Sequence, residues 1–246
     1  MYIFFCCMAV LLGGCKAEQS VKTVVVEKVK IVKESKTESI VEKKPGIDKE
    51  LVDKLSNSML TVKQKQGSWF YCGKKLSDSR AKELSVAISY LLIENMKAIG
   101  LEVNPFGVLG TMFNESGFDV CALGFYPRKW AYKNGWIAKR STTISHSRVD
   151  VDNFINSAEA KQAFRKSGFD LGLFQILSKY HDAEDLLSLD PGVRIGILEM
   201  NARAIRYSTK KPWLYWKGNK ANTRYAFKIR KIVERMGVTG EDLKGL

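Results

Sequence analysis

Glu115 is the residue whose type and position best suit acid–base chemistry. The pattern predicts a short helix that begins at Asn104 and ends at Gly117, so Glu115 lies at its C-terminal end. The helix dipole disfavours a carboxylate there, and Phe113 and Phe118 add desolvation, so we expect a raised pKa for Glu115. A carboxyl group that keeps its proton near neutral pH can act as a general acid on a leaving oxygen. The alternative is a solvated glutamate at a helix end.

Three short segments occur in a characteristic order along the chain. They are residues 115–118 (ESGF), 172–176 (GLFQI) and 215–218 (YWKG), and a proline-started helix is predicted between the last two. They resemble the E-S-x-F, G-L-M-Q-I and Y-N-x-G elements of the lysozyme-like superfamily, which includes soluble lytic transglycosylases (SLT domains) and animal-type lysozymes. The resemblance covers about residues 84–236. It implies a lysozyme-like helical domain that cleaves the glycan strands of peptidoglycan, with Glu115 as the acid/base.

The same resemblance implies substrate contacts near Glu115. Gln175 is expected to line the cleft, where an amide can bind sugar hydroxyls or acetamides, and Tyr215 to orient the proton of Glu115. Ser116 is expected at the site as a hydroxyl that binds the glutamate or the helix end. The alternatives are that Gln175 satisfies backbone groups in a buried turn and that Tyr215 is a core aromatic residue. The sequence departs from the family pattern at Trp216, where the family has Asn.

Asp170 decides between two mechanisms. Residues 170–172 (DLG) resemble the D-Y-G element of animal-type lysozymes, whose Asp is the second catalytic carboxylate. If Asp170 acts in this way, the enzyme hydrolyses the MurNAc-β-1,4-GlcNAc bond as a muramidase. If Glu115 acts alone, the resemblance implies a lytic transglycosylase, which forms 1,6-anhydro-muramoyl ends. The lipoprotein form and the Y-x-x-G element favour the transglycosylase; as a third reading, Asp170 is a turn or cap residue.

A basic, aromatic segment lies between Glu115 and the GLFQI element. Residues 125–148 contain Trp130, Tyr132 and Trp136 among several Lys and Arg residues. We expect Trp130 and Trp136 to bind substrate, because aromatic faces stack on sugar rings. The alternative is a solvated basic loop with buried aromatic residues.

The elements that must position these residues are mainly helices, since strand signals are sparse. Apolar periodicity and caps predict helices over residues 77–100, 104–117, 152–166, 190–207 and 221–236. The sequence therefore predicts a mainly α fold.

The N-terminal region predicts export. Residues 1–12 are almost wholly apolar and too few to span a bilayer, and residues 12–15 (LGGC) resemble a bacterial lipobox. We interpret residues 1–14 as a lipoprotein signal peptide and 15–66 as a lipidated Cys15 with a charged, extended or disordered tether. The enzyme domain is then 67–246. Lys16 resembles the sorting residue of lipoproteins at the periplasmic face of the Gram-negative outer membrane.

Cysteine usage agrees with an oxidising compartment. Cys6 and Cys7 would leave with the signal peptide and Cys15 would carry lipid, so Cys72 and Cys121 remain. These two can form one disulfide or stay as two buried thiols.

The net charge of +14 favours a polyanionic partner. Residues 201–235 hold eleven Lys or Arg and one acid, Glu234. Peptidoglycan is the favoured partner, with the membrane contacted through the lipid, and nucleic acid is less favoured. A non-catalytic lipoprotein that binds cell wall or nucleic acid is the competing class. With two histidines the chain lacks the ligands of a zinc peptidase, and we expect no cofactor or metal.

Lipidation of Cys15 is testable in cells. We expect Cys15→Ser to move the protein from the membrane fraction to the soluble exported fraction, because the lipid is its only anchor in this interpretation. Mass spectrometry should show that the mature protein begins at Cys15. An intact Met1 in the mature protein would refute the assignment.

Overall fold

The structure, a computed structural model, describes residues 46–137 and 146–246; the signal segment, Cys15 and the tether up to residue 45 lie outside these ranges. The helices are Lys49–Lys65 (α1), Asp78–Ala98 (α2), Pro105–Ser116 (α3), Phe125–Lys133 (α4), Arg148–Asn156 (α5), Ala158–Ala163 (α6), Ala183–Leu186 (α7), Leu189–Arg206 (α8) and Thr223–Arg235 (α9). Short 3-10 helices cover Pro212–Tyr215 and Gly240–Leu243. The mainly helical class predicted from the sequence is confirmed.

Two antiparallel hairpins accompany the helices. Phe70–Tyr71 (β1) pairs with Lys74–Lys75 (β2), and Asp170–Leu171 (β3) pairs with Ile176–Leu177 (β4). The second hairpin is tied to the loop after α3 by a bridge between Leu123 and Leu171. No helix in the described ranges is long and apolar enough to cross a bilayer.

The helix α1 corrects the predicted tether boundary. Residues 49–65 do not belong to a tether, because they form a capped helix that packs along α2. Asp48 caps its first turn by accepting a hydrogen bond from the backbone of Leu51 at 3.2 Å. Leu55 and Met59 are fully buried one turn apart. The Lys- and Glu-rich exposed face dominates the composition of this segment and conceals its narrow apolar stripe. The folded domain therefore begins before residue 67.

The central helix α3 follows the sequence prediction closely. Asn104 caps its start through the backbone N–H of Phe106 at 2.9 Å, and Gly117 ends it in the left-handed conformation, with φ of 64°. Its small residues allow close packing: a methyl group added at Gly107 would lie 2.4 Å from the buried ring of Trp213. Caps at both ends of α3 and its close packing in the core therefore fix the backbone position of Glu115.

Two predicted helices differ in detail from the structure. The helix expected over residues 152–166 is broken, because Ser157 adopts an extended conformation and its hydroxyl caps α6 through the backbone N–H of Ala160 at 3.1 Å. The basic aromatic segment, expected as a loop or insertion, contains α4. The helices expected over 190–207 and 221–236 are confirmed as α8 and α9 to within two residues.

Cys72 and Cys121 form a disulfide, with a Cα–Cα distance of 5.0 Å. The bond joins the β1–β2 turn to the loop that follows α3. Asp119 supports the same junction, because its Oδ1 accepts the backbone N–H groups of Cys72 at 2.9 Å and Cys121 at 3.0 Å. Of the two states that the sequence left open, the structure shows the paired one.

The role of α1 can be tested by stability. Leu55→Ala should lower the free energy of unfolding by roughly 2–5 kcal/mol, because it removes a fully buried side chain from a packed core. The control is Asn57→Ala on the exposed face of the same helix, which should change the free energy of unfolding little. Chemical denaturation measures both. An unchanged stability in Leu55→Ala would show that this segment is the tether after all.

Candidate active site

Glu115 lies at the C-terminal end of α3 with only 4% of its side chain exposed. The hydroxyl of Tyr225 donates a hydrogen bond to its Oε1 at 2.6 Å, and the amide of Asn114 donates to the same atom at 3.0 Å. The ammonium group of Lys217 lies 2.5 Å from the other oxygen, Oε2. The two oxygens thus differ: Oε1 is held by the neutral groups of Tyr225 and Asn114, and Oε2 is held by the half-exposed cation of Lys217.

Tyr225 is a fixed part of this site. It lies in the first turn of α9, where Asn222 caps its backbone N–H at 2.9 Å. Burial raises the pKa of its hydroxyl far above the usual value, and the neighbouring Glu115 carboxylate raises it further. The phenol therefore stays protonated and acts as a hydrogen-bond donor to Glu115.

Lys217 reaches Glu115 from the loop that precedes α9. Its side chain is 49% exposed, in contrast to its partner. Gly218 follows it with φ of 149° and open space around its Cα. The cation is therefore attached to solvent-exposed backbone and can leave Glu115 without repacking the core. The sequence analysis did not identify either Tyr225 or Lys217 as site residues.

Asp170 shares the electrostatic environment of this site. It belongs to β3, and its backbone oxygen accepts the N–H of Gly124 at 2.9 Å. Burial raises the pKa of the Asp170 carboxyl, the ammonium of Lys217 lowers it, and the charge of Glu115 raises it. A methyl group at Gly124 would lie 2.4 Å from the Cβ of Asp170, so glycine is needed there to admit the carboxylate. The structure thus brings together Glu115 and Asp170, as the sequence motifs implied.

Tyr215 does not contact Glu115 as expected. Its ring stacks on that of Tyr207, with centroids 3.8 Å apart and planes 7° from parallel. The reason is the 3-10 helix in which it lies: this turn buries Trp213 and Trp216 and leaves Tyr215 on the other side, over the end of α8. The tyrosine whose hydroxyl contacts Glu115 is Tyr225, ten residues further along the chain.

Gln175 and Ser116 serve the backbone. The side-chain amide of Gln175 donates to the carbonyls of Ala122 at 3.0 Å and Gly172 at 2.9 Å. The hydroxyl of Ser116 is buried; it donates to the carbonyl of Met112 and accepts the N–H of Phe118, both at 3.1 Å. Both side chains stabilise the turns around the site. The alternative reading of Gln175, in a turn that satisfies backbone groups, is the one that the structure shows.

The two tryptophans predicted to bind sugar lie against the core. Trp130 contacts the rings of Phe154 and Phe164, each with centroids 5.9 Å apart, and Trp136 is half-buried against the same core. Trp130 and Trp136 are therefore packing residues, whereas Phe125 and Tyr126 of the same segment are exposed. The remaining cationic part of the segment, residues 138–145, lies outside the described residues.

No protein-family model, curated protein or solved structure matches this chain. Its function is accordingly argued from the site itself. The arrangement provides one buried carboxyl group with a fixed donor on one oxygen, an exchangeable cation on the other and a second carboxyl nearby. These are the groups needed to give a proton to a leaving oxygen and to balance the positive charge that develops as the bond breaks.

Proposed function

We propose that this protein cleaves the glycan strands of peptidoglycan, with Glu115 as the general acid and base. The observation that carries the proposal is the burial of Glu115 between the fixed hydroxyl of Tyr225 and the cation of Lys217. A buried carboxyl group that meets a charged partner and fixed hydrogen-bond donors is a candidate for acid–base chemistry. The order of the three motifs along the chain supports the glycan as the substrate.

In this proposal the two oxygens of Glu115 have different tasks. Oε1 is held by Tyr225 and Asn114, so Oε2 is the atom that meets the substrate. Before proton donation, the ammonium of Lys217 leaves Oε2 and this oxygen takes up a proton from solvent. The protonated Oε2 then faces the glycosidic oxygen and gives it that proton. Because the side chain of Lys217 is half-exposed, breaking its ion pair with Glu115 costs little free energy.

Among the two mechanisms, we propose the lytic transglycosylase first. Glu115 protonates the leaving oxygen and then removes the proton of the muramoyl 6-hydroxyl, which closes the 1,6-anhydro ring. The substrate itself supplies the nucleophile at high effective concentration, so no water needs to be activated. The bond cleaved in this proposal is MurNAc-β-1,4-GlcNAc.

The hydrolytic muramidase is the second candidate, and the position of Asp170 supports it. The carboxyl group interacts electrostatically with both Glu115 and Lys217, so it lies near enough to act on the same substrate. There it can stabilise or trap the oxocarbenium-like centre while water completes the reaction.

We further propose that the domain works from a lipid anchor at Cys15, on the periplasmic face of the outer membrane if the cell is Gram-negative. Residues 16–48 separate this cysteine from α1.

Replacement of Glu115 tests the activity. Glu115→Gln keeps the shape and the hydrogen bond from Tyr225 but cannot exchange a proton, so glycan cleavage should fall by about 10²-fold or more. Turbidity clearing of purified cell walls measures the loss. The matched control is Glu159→Gln on the exposed face of α6, which should retain full activity. A Glu115→Gln protein that keeps more than about a tenth of the activity would contradict the assignment.

Replacement of Asp170 separates the two mechanisms. For the transglycosylase we expect Asp170→Asn to cost at most about tenfold, with products that all end in anhydro-muramoyl units, because no second carboxylate takes part. For the muramidase the same change removes charge stabilisation worth roughly 3–4 kcal/mol, so activity falls by about 10²-fold or more. Mass spectrometry of the released muropeptides identifies the ends. Reducing ends together with an inactive Asp170→Asn would replace the first mechanism by the second.

A further inference from the structure

A groove of about 940 Å³ lies between the C-terminal ends of α1, α3 and α9. Its walls combine two kinds of groups. Phe70, Phe113 and Ile232 provide apolar surface, and the polar part of the wall includes the amide of Asn114 and one carboxyl group, that of Asp119. Its size is that of a site for a ligand of several linked groups.

Four cations line the groove: Lys63, Lys228, Lys231 and Arg235. The last three project from one face of α9 at helical spacing. Lys231 pairs with Glu234 at 3.1 Å. Within residues 46–137 and 146–246, no carboxylate lies within ion-pairing distance of Lys63, Lys228 or Arg235. The four cations outnumber the two acids near them, Asp119 in the wall and Glu234 beside Lys231, so the groove carries an excess of positive charge.

Lys63 is the least solvated of these cations. It is half-buried, and its ammonium lies 5.6 Å from the ring centroids of both Trp69 and Phe113. Burial lowers the pKa of its amine to about 8, and the more distant charge of Asp119 offsets this only in part. A partly desolvated ammonium without an ion-pair partner gains more from a bound anion than a solvated one does.

The groove lies beside Glu115. Asn114 lines it and also donates a hydrogen bond to Oε1 of Glu115. Lys228 lies one helical turn after Tyr225, the other donor to that oxygen. A polymer bound at Glu115 can thus place a side branch in the groove without leaving the surface.

We infer that this groove binds the acidic peptide branches of the glycan strand, through their carboxylates. The inference rests on the proposed function, which places a glycan at Glu115. Peptide branches alternate carboxylates with small apolar groups, and the groove alternates cations with Phe70, Phe113 and Ile232. A phosphate polymer would match the cations but not the apolar wall. The enzyme therefore prefers strands that still carry their peptides.

Direct binding tests the groove without any need for catalysis. The probe is a short acidic peptide with two free carboxylates, and the same peptide with both carboxylates amidated is its control. Lys63→Gln and Lys228→Gln should each weaken binding of the acidic peptide by roughly tenfold, as expected for a lost charge-assisted hydrogen bond. Lys161→Gln, on the exposed face of α6, is the matched control and should bind as the parent protein does.

The pH dependence of binding identifies Lys63. The amine of the free protein is charged below pH 8 and neutral above it, so affinity should fall as the pH rises through about 8. Lys63→Arg should bind with little change up to about pH 9.5, because a guanidinium stays protonated there. A parent protein whose affinity does not change between pH 7 and 9.5 would contradict the role of Lys63.

Kinetics link the groove to the site. With glycan strands that carry peptides, Lys63→Gln and Lys228→Gln should raise KM by roughly tenfold, the same loss as in binding, and leave kcat nearly unchanged. With peptide-free strands both constants should stay at the values of the parent protein. Equal losses on the two substrates would overturn the inference, as would binding of the amidated peptide as tight as that of the acidic one. If an oligonucleotide binds more tightly than the acidic peptide, and Lys63→Gln and Lys228→Gln lose that binding, the ligand of the groove is nucleic acid and the inference is wrong.

The two proposals fail in different ways. If the parent protein binds the acidic peptide but cleaves neither kind of glycan strand, the peptide-binding groove is supported and the glycan-cleaving function is refuted. If it cleaves strands with and without peptides equally and binds no peptide, the role of Glu115 is supported and the peptide-binding role of the groove is refuted.

Discussion

The close approach of α3 and α9 is the contact on which the site depends. Gly110 makes it feasible, because a methyl group there would lie 2.9 Å from Val233 and 3.0 Å from Ile229. With the two helices this close, the hydroxyl of Tyr225 reaches the carboxyl group of Glu115 from the neighbouring helix. A larger residue at 110 would separate the helices and, with them, the acid and its donor. The contact between Tyr225 and Glu115 thus depends on the packing of the two helix backbones as well as on the two side chains.

Electrostatic balance is the second constraint. The carboxyl groups of Glu115 and Asp170 both interact with the ammonium of Lys217. The partial burial of Asp170 raises the pKa of its carboxyl, the ammonium of Lys217 lowers it, and the charge of Glu115 raises it. Movement of Lys217 shifts this balance. The charges of Glu115 and Asp170 are therefore coupled through one half-exposed side chain, that of Lys217.

The parts predictable from the sequence are those set by local signals. The bounds of α3 followed from a cap at Asn104 and a glycine at 117, and these placed Glu115 at a helix end. Tyr225 could not be found in this way, because its contact with Glu115 spans 110 residues and depends on how two helices pack. The motif pointed to Tyr215 instead, since sequence order does not reveal which aromatic residues of a turn are buried.

The composition of residues 49–65 led to the wrong prediction of a tether, because the apolar stripe of α1 is narrow. The segment that became α1 has charged residues on most of its surface, and only tertiary packing against α2 shows that Leu55 and Met59 are core residues. The same error hid Lys63, which the tether reading placed outside the domain. Conversely, Trp130 looked like a ligand-binding residue because its sequence neighbours are cationic, whereas its spatial neighbours are phenylalanines.

The disulfide between Cys72 and Cys121 has a consequence for when the molecule becomes active. It closes a loop of 49 residues that contains all of α2 and α3, and such a link stabilises a fold by roughly 4 kcal/mol through the entropy of the unfolded chain. In the reducing interior of a cell the chain lacks this restraint, and the loop after Glu115 is held more weakly. Under the proposed function and export, the chain would thus gain its full stability only after it has left the compartment where it is made.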